Sequence, residues 1–391
     1  MLVGPRASGK TTLAARYAET IVRLDRPDEA AAAAADPDAF LSRLKEPILL
    51  DEWQAVPSIL GAVKRAVDAR PEPGRFIVTG SVRAAHAGEL WPGTGRLARI
   101  PLLGMTVREQ RRADLTLPPF IDRLVEAGGE LSVPAVAPDL PTYLDLALMS
   151  GFPEPAIRVS SAAAREAWLE SYIDQVLTQD AEFVSGQRSR TRLRSYLEAY
   201  AANTAGLVED VTLAKTVGIT AKTAVSYEQL LTDLWICDSV PAMWSNRLKR
   251  MIKAAKRYML DGALAAAALR MDSTALLRNG DVMGRILDTF VAAQLRAELT
   301  VTTGRPRLLH LRAEQGRHEV DLLAERAGGE VVAFEVKASS SPTASDARHL
   351  NWLRDQLGER FQQGVVFHTG PHAFQLDDRV HALPICALWG S

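Results

Sequence analysis

The residues with the clearest chemical meaning stand near the beginning of the sequence. Residues 4–11 read GPRASGKT and match the pattern G-x-x-x-x-G-K-[ST] in full. The glycines permit a tight loop whose backbone N–H groups point at phosphate oxygens. Lys10 would reach the β- and γ-phosphates of a nucleotide, and the Thr11 hydroxyl would ligate Mg²⁺. The positions predicted to contact the nucleotide through this loop are Gly4, Ser8, Gly9, Lys10, Thr11 and Thr12.

Two carboxylates follow a second apolar run, PILLDE at residues 47–52. Asp51 would hold Mg²⁺, usually through water, and Glu52 would orient or deprotonate the attacking water. A third run, at 76–78, ends in Thr79-Gly80-Ser81, where a hydroxyl such as that of Thr79 can sense the γ-phosphate. A chance glycine-rich turn is the alternative, but three matched pieces in the right order argue against it. We therefore expect ATP and Mg²⁺ as ligands.

Hydrolysis needs one more group than binding does. An arginine usually neutralises the charge of the transition state, and a neighbouring subunit often donates it. Arg83, Arg96 and Arg99 are the candidates, with Arg96 favoured for a phosphate-linked role. An ordinary exposed arginine is the alternative for each of them. Turnover of ATP and assembly into a homo-oligomer both stay open on this evidence.

The elements that must position these residues follow from apolar runs. Short strands are predicted at 21–24, 48–50 and 76–78. Helices are predicted at 14–20 and 60–69 from their apolar residues. The glycine loop by itself predicts a helix directly after it, at 11–17. This alternation indicates parallel βαβ units and an α/β fold with a parallel sheet. Only three residues precede Gly4, although a first strand normally runs about five. We expect either a stunted strand or a true start that lies upstream.

The middle of the chain resembles a helix-turn-helix. Residues 213–225 read LAKTVGITAKTAV, where Ala214 is small at a helix crossing and Gly218 suits the turn. Ile219 and Val225 would face the core. The side chains predicted to be exposed on the second helix are those of Thr220, Lys222 and Thr223.

Residues 230–236 and 240–243 then suit a continuing helix and a wing hairpin, and a basic run follows. A winged helix could touch the phosphates of double-stranded DNA with this run, or it could serve only for packing, with its cations solvated. The cations of the run are Arg247, Lys249, Arg250, Lys253, Lys256 and Arg257.

Carboxylates recur towards the end of the chain. Residues 318–323 and 331–337 flank a Gly-Gly turn and indicate a β-hairpin, with Asp321 on one strand and Glu335 and Lys337 on the other. Alternation would put the apolar residues of the second strand on one face and Glu335 with Lys337 on the opposite face. Asp-…-Glu-x-Lys is typical of magnesium-dependent nucleases, and Asp288 could add an acid. An ordinary strand with a solvated edge is the alternative.

Composition limits the remaining classes. The chain has 391 residues, which predicts roughly two to three domains. Its net charge of −1 gives no bulk attraction to nucleic acid. Cys237 and Cys386 are too few for a disulfide framework, and with the nucleotide motif they favour a reducing cytoplasm. No run of about 18 apolar residues occurs, so we expect no membrane partner.

Taken together, the motifs resemble those of the prokaryotic AAA+-type ATPases with a C-terminal DUF4143 domain. The resemblance rests on GPRASGKTT at 4–12, LDE at 50–52, TGS at 79–81, the helix-turn-helix, KRY at 256–258 and EVKAS at 335–339. It implies an AAA-like ATPase domain, a winged helix and a PD-(D/E)XK-like end. The family's nucleotide positions map onto Gly9, Lys10, Thr11, Asp51 and Glu52, and its nuclease-like positions onto Asp321, Glu335 and Lys337.

One position departs from the family pattern, because Asp288 stands where the family has Glu. The expected domains are an ATPase domain at 1–150, a helical connector at 151–205, a winged helix at 206–270 and a DUF4143 domain at 271–391. The leading hypothesis is a Mg²⁺-dependent ATPase or ATP-driven switch. The alternatives are a nucleotide-gated DNA- or protein-binding regulator without turnover, and a Mg²⁺-dependent nuclease.

Overall fold

The computed structural model describes residues 1–80, 95–114, 116–134, 136–180, 189–243 and 254–390. The chain forms two compact units. The first comprises Met1–Leu103 with Thr232–Trp235, and the second comprises Gly104–Leu231 with Ile236–Ser391. Residues 104–150, which the sequence analysis groups with the ATPase domain, therefore lie in the second unit.

A parallel five-stranded sheet organises the first unit, in the order β2-β3-β4-β1-β5. Each neighbouring pair is parallel, which the βαβ pattern predicted. The strands are β1 (Leu2–Val3), β2 (Thr20–Arg23), β3 (Ile48–Asp51), β4 (Phe76–Gly80) and β5 (Ile100–Pro101). The helices are α1 (Lys10–Ala14), α2 (Pro27–Ala35), α3 (Pro37–Ser42) and α4 (Ile59–Ala69).

The apolar run of β3 explains its place as an inner strand of this sheet. All four of its residues are buried, as expected for a parallel strand covered on both faces. Ile48 and Leu50 join the core that includes Ile59 and Val63 of α4, whereas Leu49 joins a separate core with α1. Alternate residues of one strand thus bind the helices of both layers to the sheet.

The predicted strands at 21–24, 48–50 and 76–78 are confirmed, with shifts of one or two residues at their ends. The helix predicted at 14–20 starts earlier, at Lys10, and its last turn is a 3₁₀ helix at Ala15–Tyr17. It ends there because Ala18 is extended and leads into β2. The first strand has only two residues, Leu2 and Val3.

The second unit begins with helices. They are α5 (Val107–Gln110), α6 (Phe120–Glu126), α7 (Leu140–Met149), α8 (Ala162–Gln175) and α9 (Arg190–Ala202). Two π-helical turns, Glu154–Arg158 and Val176–Asp180, lie beside α8. No described helix of the chain is both long enough and apolar enough to cross a membrane. Cys237 and Cys386 are buried and are not joined in a disulfide bond.

The predicted helix-turn-helix corresponds to α10 (Asp210–Val217) and α11 (Ala221–Asp233). Gly218 ends α10 with a φ of 69°, a left-handed conformation that suits glycine. The strands β6 (Cys237–Val240) and β7 (Lys256–Met259) then pair antiparallel. The prediction for Val225 was wrong: this residue is 52% exposed, and the buried hydrophobic residues of α11 are instead Ala224, Tyr227, Leu230 and Leu231.

A mixed six-stranded sheet closes the chain, in the order β12-β13-β11-β10-β9-β8. Its strands are β8 (Arg307–Ala313), β9 (His318–Glu325), β10 (Val331–Val336), β11 (Phe361–His368), β12 (Phe374–Asp377) and β13 (Val380–Pro384). The remaining helices are α12 (Gly262–Ala268), α13 (Ser273–Leu277), α14 (Gly280–Leu299) and α15 (Arg348–Leu357).

The predicted hairpin is confirmed, because β9 and β10 pair antiparallel across the Gly-Gly turn. The alternative of an ordinary strand with a solvated edge does not hold for β10. Residues 331–335 are all buried, since β10 is an inner strand with β11 on its other side. The run VVAFEV is apolar at every position except Glu335, and such a nearly continuous apolar run is typical of a strand that is buried on both faces.

Candidate nucleotide site

The loop between β1 and α1 depends on glycine at two positions. A Cβ atom at Gly4 would lie 2.1 Å from the backbone oxygen of Leu102, so any side chain would displace the loop or the neighbouring strand. Gly9 adopts a φ of 89°, in the left-handed region where glycine is favoured. Ala7 also has a positive φ, of 59°. The chain therefore follows a tight path that requires glycine for the close approach at Gly4 and for the left-handed turn at Gly9.

Lys10 is buried at the start of α1, with 6% of its surface exposed. Its ammonium group donates hydrogen bonds to the backbone oxygens of Gly4, at 3.1 Å, and Pro5, at 2.7 Å. Burial lowers the pKa of Lys10 to about 8, although the nearby charges of Glu52 and Asp51 act in the opposite direction. Among the residues that the structure describes, its ammonium group thus has neutral partners in the loop and no carboxylate in direct contact.

Asp51 lies at the end of β3 and accepts hydrogen bonds from polar side chains of other elements. One of its oxygens, Oδ1, accepts hydrogen bonds from the hydroxyls of Thr11, at 2.8 Å, and Thr79. The sheet order explains this meeting, because β4 lies between β1 and β3 and parallel strands present their carboxyl ends at one edge. The structure therefore brings together three residues predicted from separate motifs.

Glu52 follows Asp51 in a left-handed conformation, with a φ of 53°. Such a conformation is uncommon for a residue with a side chain and is found at functional sites. Burial raises the pKa of Glu52, while a hydrogen bond from the Gln54 amide to its carboxylate lowers it. The surroundings therefore move Glu52 towards the range where a carboxylate can accept a proton near neutral pH.

Sequence reasoning missed two residues that shape this acidic end of the site. Gln54 donates to Glu52, and it stands only two positions further along, in the run DEWQ. Gly80 permits a close approach, because a Cβ atom there would lie 2.7 Å from Trp53 Nε1 and 2.9 Å from Gln54 Oε1. The glycine in TGS was the available signal, since a glycine in a strand marks a close neighbour.

The residues present fit a nucleotide with Mg²⁺. Ser8 Oγ is buried and has no hydrogen-bond partner among the residues that the structure describes. A buried hydroxyl of this kind can donate to a phosphate oxygen. Thr11 and Asp51 supply the hydroxyl and carboxylate oxygens that Mg²⁺ prefers. Thr12 is exposed on α1, and its predicted contact with the nucleotide stays a prediction.

The structure does not bring Arg96 to this site. Arg96 forms an ion pair with Asp68 near the end of α4. It lines a cavity of about 570 Å³ with Arg75 and Phe76, at the start of β4, whereas Thr79 lies near the end of that strand. Arg99 is exposed, and Arg83 and Ser81 lie outside the described residues.

A second polar cluster forms in the other unit, around Lys256 of β7. Its ammonium group contacts Asp288 at 2.7 Å and Asp321 at 2.9 Å. Tyr258 donates to the other oxygen of Asp288, at 3.0 Å. Burial by itself lowers the pKa of Lys256, but the two carboxylates outweigh it and raise that pKa well above its usual range. Burial also raises the pKa of Asp288 to about 6, against the effect of Lys256.

Asp321, Glu335 and Lys337, predicted as a nuclease-like set, lie in this same cluster. Lys337 donates to Glu335 at 3.1 Å. Burial raises the pKa of Glu335 well above its usual value, and the charge of Asp321 adds to this rise. Across the described part of the chain, no group of three or more His, Cys, Asp or Glu side chains is arranged to hold a metal ion. The site predicted for a second Mg²⁺ thus contains ion pairs between side chains.

Two cations of the predicted DNA-binding run are buried and form ion pairs with acids. Lys256 is buried against the acids, and Arg257 is buried and paired with Glu228 of α11 and Asp210 of α10. Neither is exposed for phosphate contact, so that part of the prediction was wrong. The sequence could not show this, because the acids lie far away along the chain. Residues 247, 249, 250 and 253 lie outside the described residues.

Comparison with known proteins agrees with different domains at the N-terminal and C-terminal ends of the chain. Residues 1–110 match the family model of an AAA domain, and residues 283–388 match that of a domain of unknown function, DUF4143. Residues 140–275 match a further domain of unknown function, DUF8612. These matches support an AAA-type, ATPase-like protein with a DUF4143 domain. The N-terminal domain is of a type that binds ATP.

Two mycobacterial proteins are similar over almost the whole chain. They are the uncharacterized protein Rv2008c of Mycobacterium tuberculosis and the uncharacterized protein Mb2031c of Mycobacterium bovis. Each is 27% identical over 389 residues, which cover 98% of this chain and 79% of the relative. The similarity thus extends across all three matched domains.

Proposed function

We propose that the protein is a Mg²⁺-dependent ATPase whose hydrolytic site lies at the loop of residues 4–11. The observation that carries this proposal is the position of Asp51, whose carboxylate is held by the hydroxyls of Thr11 and Thr79 beside the buried Lys10. Such a group of one acid, two hydroxyls and one lysine at a glycine loop matches what a Mg²⁺-nucleotide requires.

The residues divide the work of binding and hydrolysis. Lys10 and the loop N–H groups bind the phosphates, and Thr11 and Asp51 hold Mg²⁺, which neutralises phosphate charge when bound. Glu52 accepts a proton from the attacking water, which the raised pKa of its carboxyl favours. Thr79 contacts Asp51, so it links the end of β4 to the metal-holding acid.

The test is Mg²⁺-dependent release of phosphate from ATP by the purified chain and by Glu52→Gln. The substitution removes the base but keeps the size of the side chain and leaves the loop intact. We expect turnover to fall by about 100-fold or more, within the range of general base catalysis, while ATP binding persists. Glu72→Gln, at an exposed glutamate of the same unit, is the matched control and should behave as the unmodified chain.

The outcome separates this proposal from a nucleotide-gated switch. Turnover that Glu52→Gln leaves unchanged would reject Glu52 as the base. Tight ATP binding without any turnover in the unmodified chain would reject the ATPase and favour a binding regulator. Addition of duplex DNA to the same assay would reveal whether DNA stimulates turnover.

We propose contact with double-stranded DNA as a second function, through the helix-turn-helix. The supporting observation is the exposed polar face around Gly218, formed by Lys215 at the end of α10 and by Thr220 and Lys222 at the start of α11. Thr220 Oγ1 accepts a hydrogen bond from Thr223 N at 3.1 Å, which fixes the beginning of α11. A helix start with exposed lysines can contact the phosphate backbone.

Fluorescence anisotropy with labelled duplex DNA tests this surface. We expect the double variant Lys215→Ala, Lys222→Ala to bind more weakly and to show a shallower dependence on salt. Lys45→Ala, at an exposed lysine of the first unit, serves as the control. Unchanged affinity in the double variant would exclude this face as the DNA-binding surface.

The third hypothesis, a Mg²⁺-dependent nuclease, receives less support from the geometry. Asp321 and Glu335 are in place, but lysine ammonium groups lie against both of them. The C-terminal cluster therefore gives no ground for proposing cleavage.

A further inference from the structure

The buried cluster of the second unit has a cation of its own at its centre. Lys256 Nζ lies between Asp288 Oδ2 and Asp321 Oδ1, at 2.7 and 2.9 Å. The lysine side chain is only 7% exposed. A charged group buried to this extent is stable only when it is paired and hydrogen-bonded. The two carboxylates provide this pairing, so the ammonium group and the acids form one unit.

Both carboxylate oxygens of Asp288 and of Asp321 are already engaged, as is one oxygen of Glu335. Asp288 Oδ1 accepts from Tyr258 at 3.0 Å, and Asp321 Oδ2 accepts from the backbone N–H of Val336 at 3.0 Å. Glu335 Oε2 accepts from Lys337 at 3.1 Å. A hard divalent cation requires six or more oxygen ligands, several of them carboxylate or water oxygens. To enter, it would have to displace Lys256 and leave that ammonium group buried without partners.

The metal that the nuclease-like pattern implies therefore does not fit the residues as they lie. We infer that the ammonium group of Lys256 is the resident cation of the Asp288–Asp321–Glu335 cluster and excludes divalent metal ions from it. The lysine comes from β7, whereas the acids come from α14, β9 and β10. The cation is thus supplied by a strand that lies outside the six-stranded sheet.

The position of Lys256 also explains how β7 is held. Successive residues of a strand point to opposite faces, so Lys256 and Arg257 extend in opposite directions. Lys256 reaches the acids of α14 and β9, and Arg257 reaches Glu228 of α11 and Asp210 of α10. One dipeptide thus joins the helix-turn-helix to the C-terminal sheet by buried ion pairs. A metal ion in the acid cluster would remove one side of this connection.

Binding of Mn²⁺, measured by electron paramagnetic resonance on the full chain without nucleotide, tests the inference. Mn²⁺ serves as the probe because it accepts the same oxygen ligands as Mg²⁺. We expect Asp321→Asn and Glu335→Gln to bind as much Mn²⁺ as the unmodified chain. Neither substitution changes the nucleotide site. Any ion bound there therefore contributes equally to all three proteins and does not affect the comparison. Loss of a bound ion in either variant would overturn the inference.

Removal of the lysine provides the converse test. Lys256→Ala should gain about one Mn²⁺ per chain, because Asp288 and Asp321 then lose the cation that neutralises them. The added substitution Asp321→Asn should abolish that gain, and Lys256→Arg should show none. A folded Lys256→Ala protein, judged by circular dichroism, that gains no ion would contradict the inference. If Lys256→Ala does not fold, the comparison of the unmodified chain with Asp321→Asn and Glu335→Gln still decides the question.

Discussion

Each of the two polar clusters of this protein contains a buried lysine, but the pKa of this lysine is shifted in opposite directions in the two clusters. At the nucleotide loop, Lys10 is buried against backbone oxygens, and its pKa falls to about 8. In the second unit, Lys256 is buried against two carboxylates, and its pKa rises well above its usual range. Burial lowers the pKa of both lysines, so the direct partners determine the direction of the shift.

This difference has a functional meaning. A buried ammonium group without a carboxylate in direct contact gains most from an anion that arrives from outside, which a phosphate provides. An ammonium group already neutralised by two carboxylates gains little from any ligand. The first cluster is therefore arranged for binding, whereas the second is arranged for stability.

The largest expected effect concerns the stability of the second cluster. Lys256→Met should lower the free energy of unfolding by about 3–5 kcal/mol, the usual cost of removing one partner from a buried ion pair. Urea denaturation of the second unit, followed by circular dichroism, measures the change. Lys222→Met, at an exposed lysine, should have almost no effect. If both variants unfold at the same urea concentration, the ion pairs of Lys256 do not stabilise the fold.

The converse substitution at the nucleotide loop should affect activity and leave stability nearly unchanged. Lys10→Met should reduce kcat/KM for ATP by about 100- to 1,000-fold, as for other charge-stabilising donors. Its unfolding should change little, because the partners of the ammonium group in the described part of the chain are the neutral backbone oxygens of Gly4 and Pro5. Lys45→Met is the control. A large loss of stability in Lys10→Met would remove the contrast between the two lysines.

The pH dependence of activity should report the low pKa of Lys10. A lysine whose pKa is lowered to about 8 loses its charge as the pH rises through that value. We expect kcat/KM, which reflects the free protein, to fall about tenfold per pH unit above this pKa. Glu52 acts at the acidic side, because burial raises its pKa and the base therefore gains its proton at a higher pH than an ordinary glutamate does. A rate that stays level well above pH 8 would show that Lys10 keeps its proton.

The smallest expected effect lies at Gln54. Its amide stabilises the charged form of Glu52, so Gln54→Ala should raise the pKa of Glu52 further and move the acidic side of the pH profile upwards. Loss of one hydrogen bond corresponds to about a two- to tenfold slower turnover below neutral pH. Gln375→Ala, at an exposed residue of β12, should leave the profile unchanged. A profile that moves to lower pH would mean that Gln54 raises the pKa of Glu52.

Sequence reasoning predicted more at the first cluster than at the second. The loop, the strand that ends in Asp51 and the strand that ends in Thr79 were each found as a continuous run, and the parallel sheet brings their ends together. Gln54 escaped notice although it lies beside Glu52, because no pattern marks its hydrogen bond. Arg96 was favoured among three candidate arginines, but its partner Asp68 lies on a different element.

The sequence by itself determined which residues could bind phosphate, because the conformation of a short glycine loop depends on local backbone sterics. It also determined the hairpin of β9 and β10, since turn residues and apolar runs are local signals. Only the tertiary structure decided the role of Lys256, which pairs with Asp321 across 65 residues of chain. Whether a lysine faces solvent, a phosphate or a buried acid depends on contacts between distant segments, and these long-range contacts set its charge and its function.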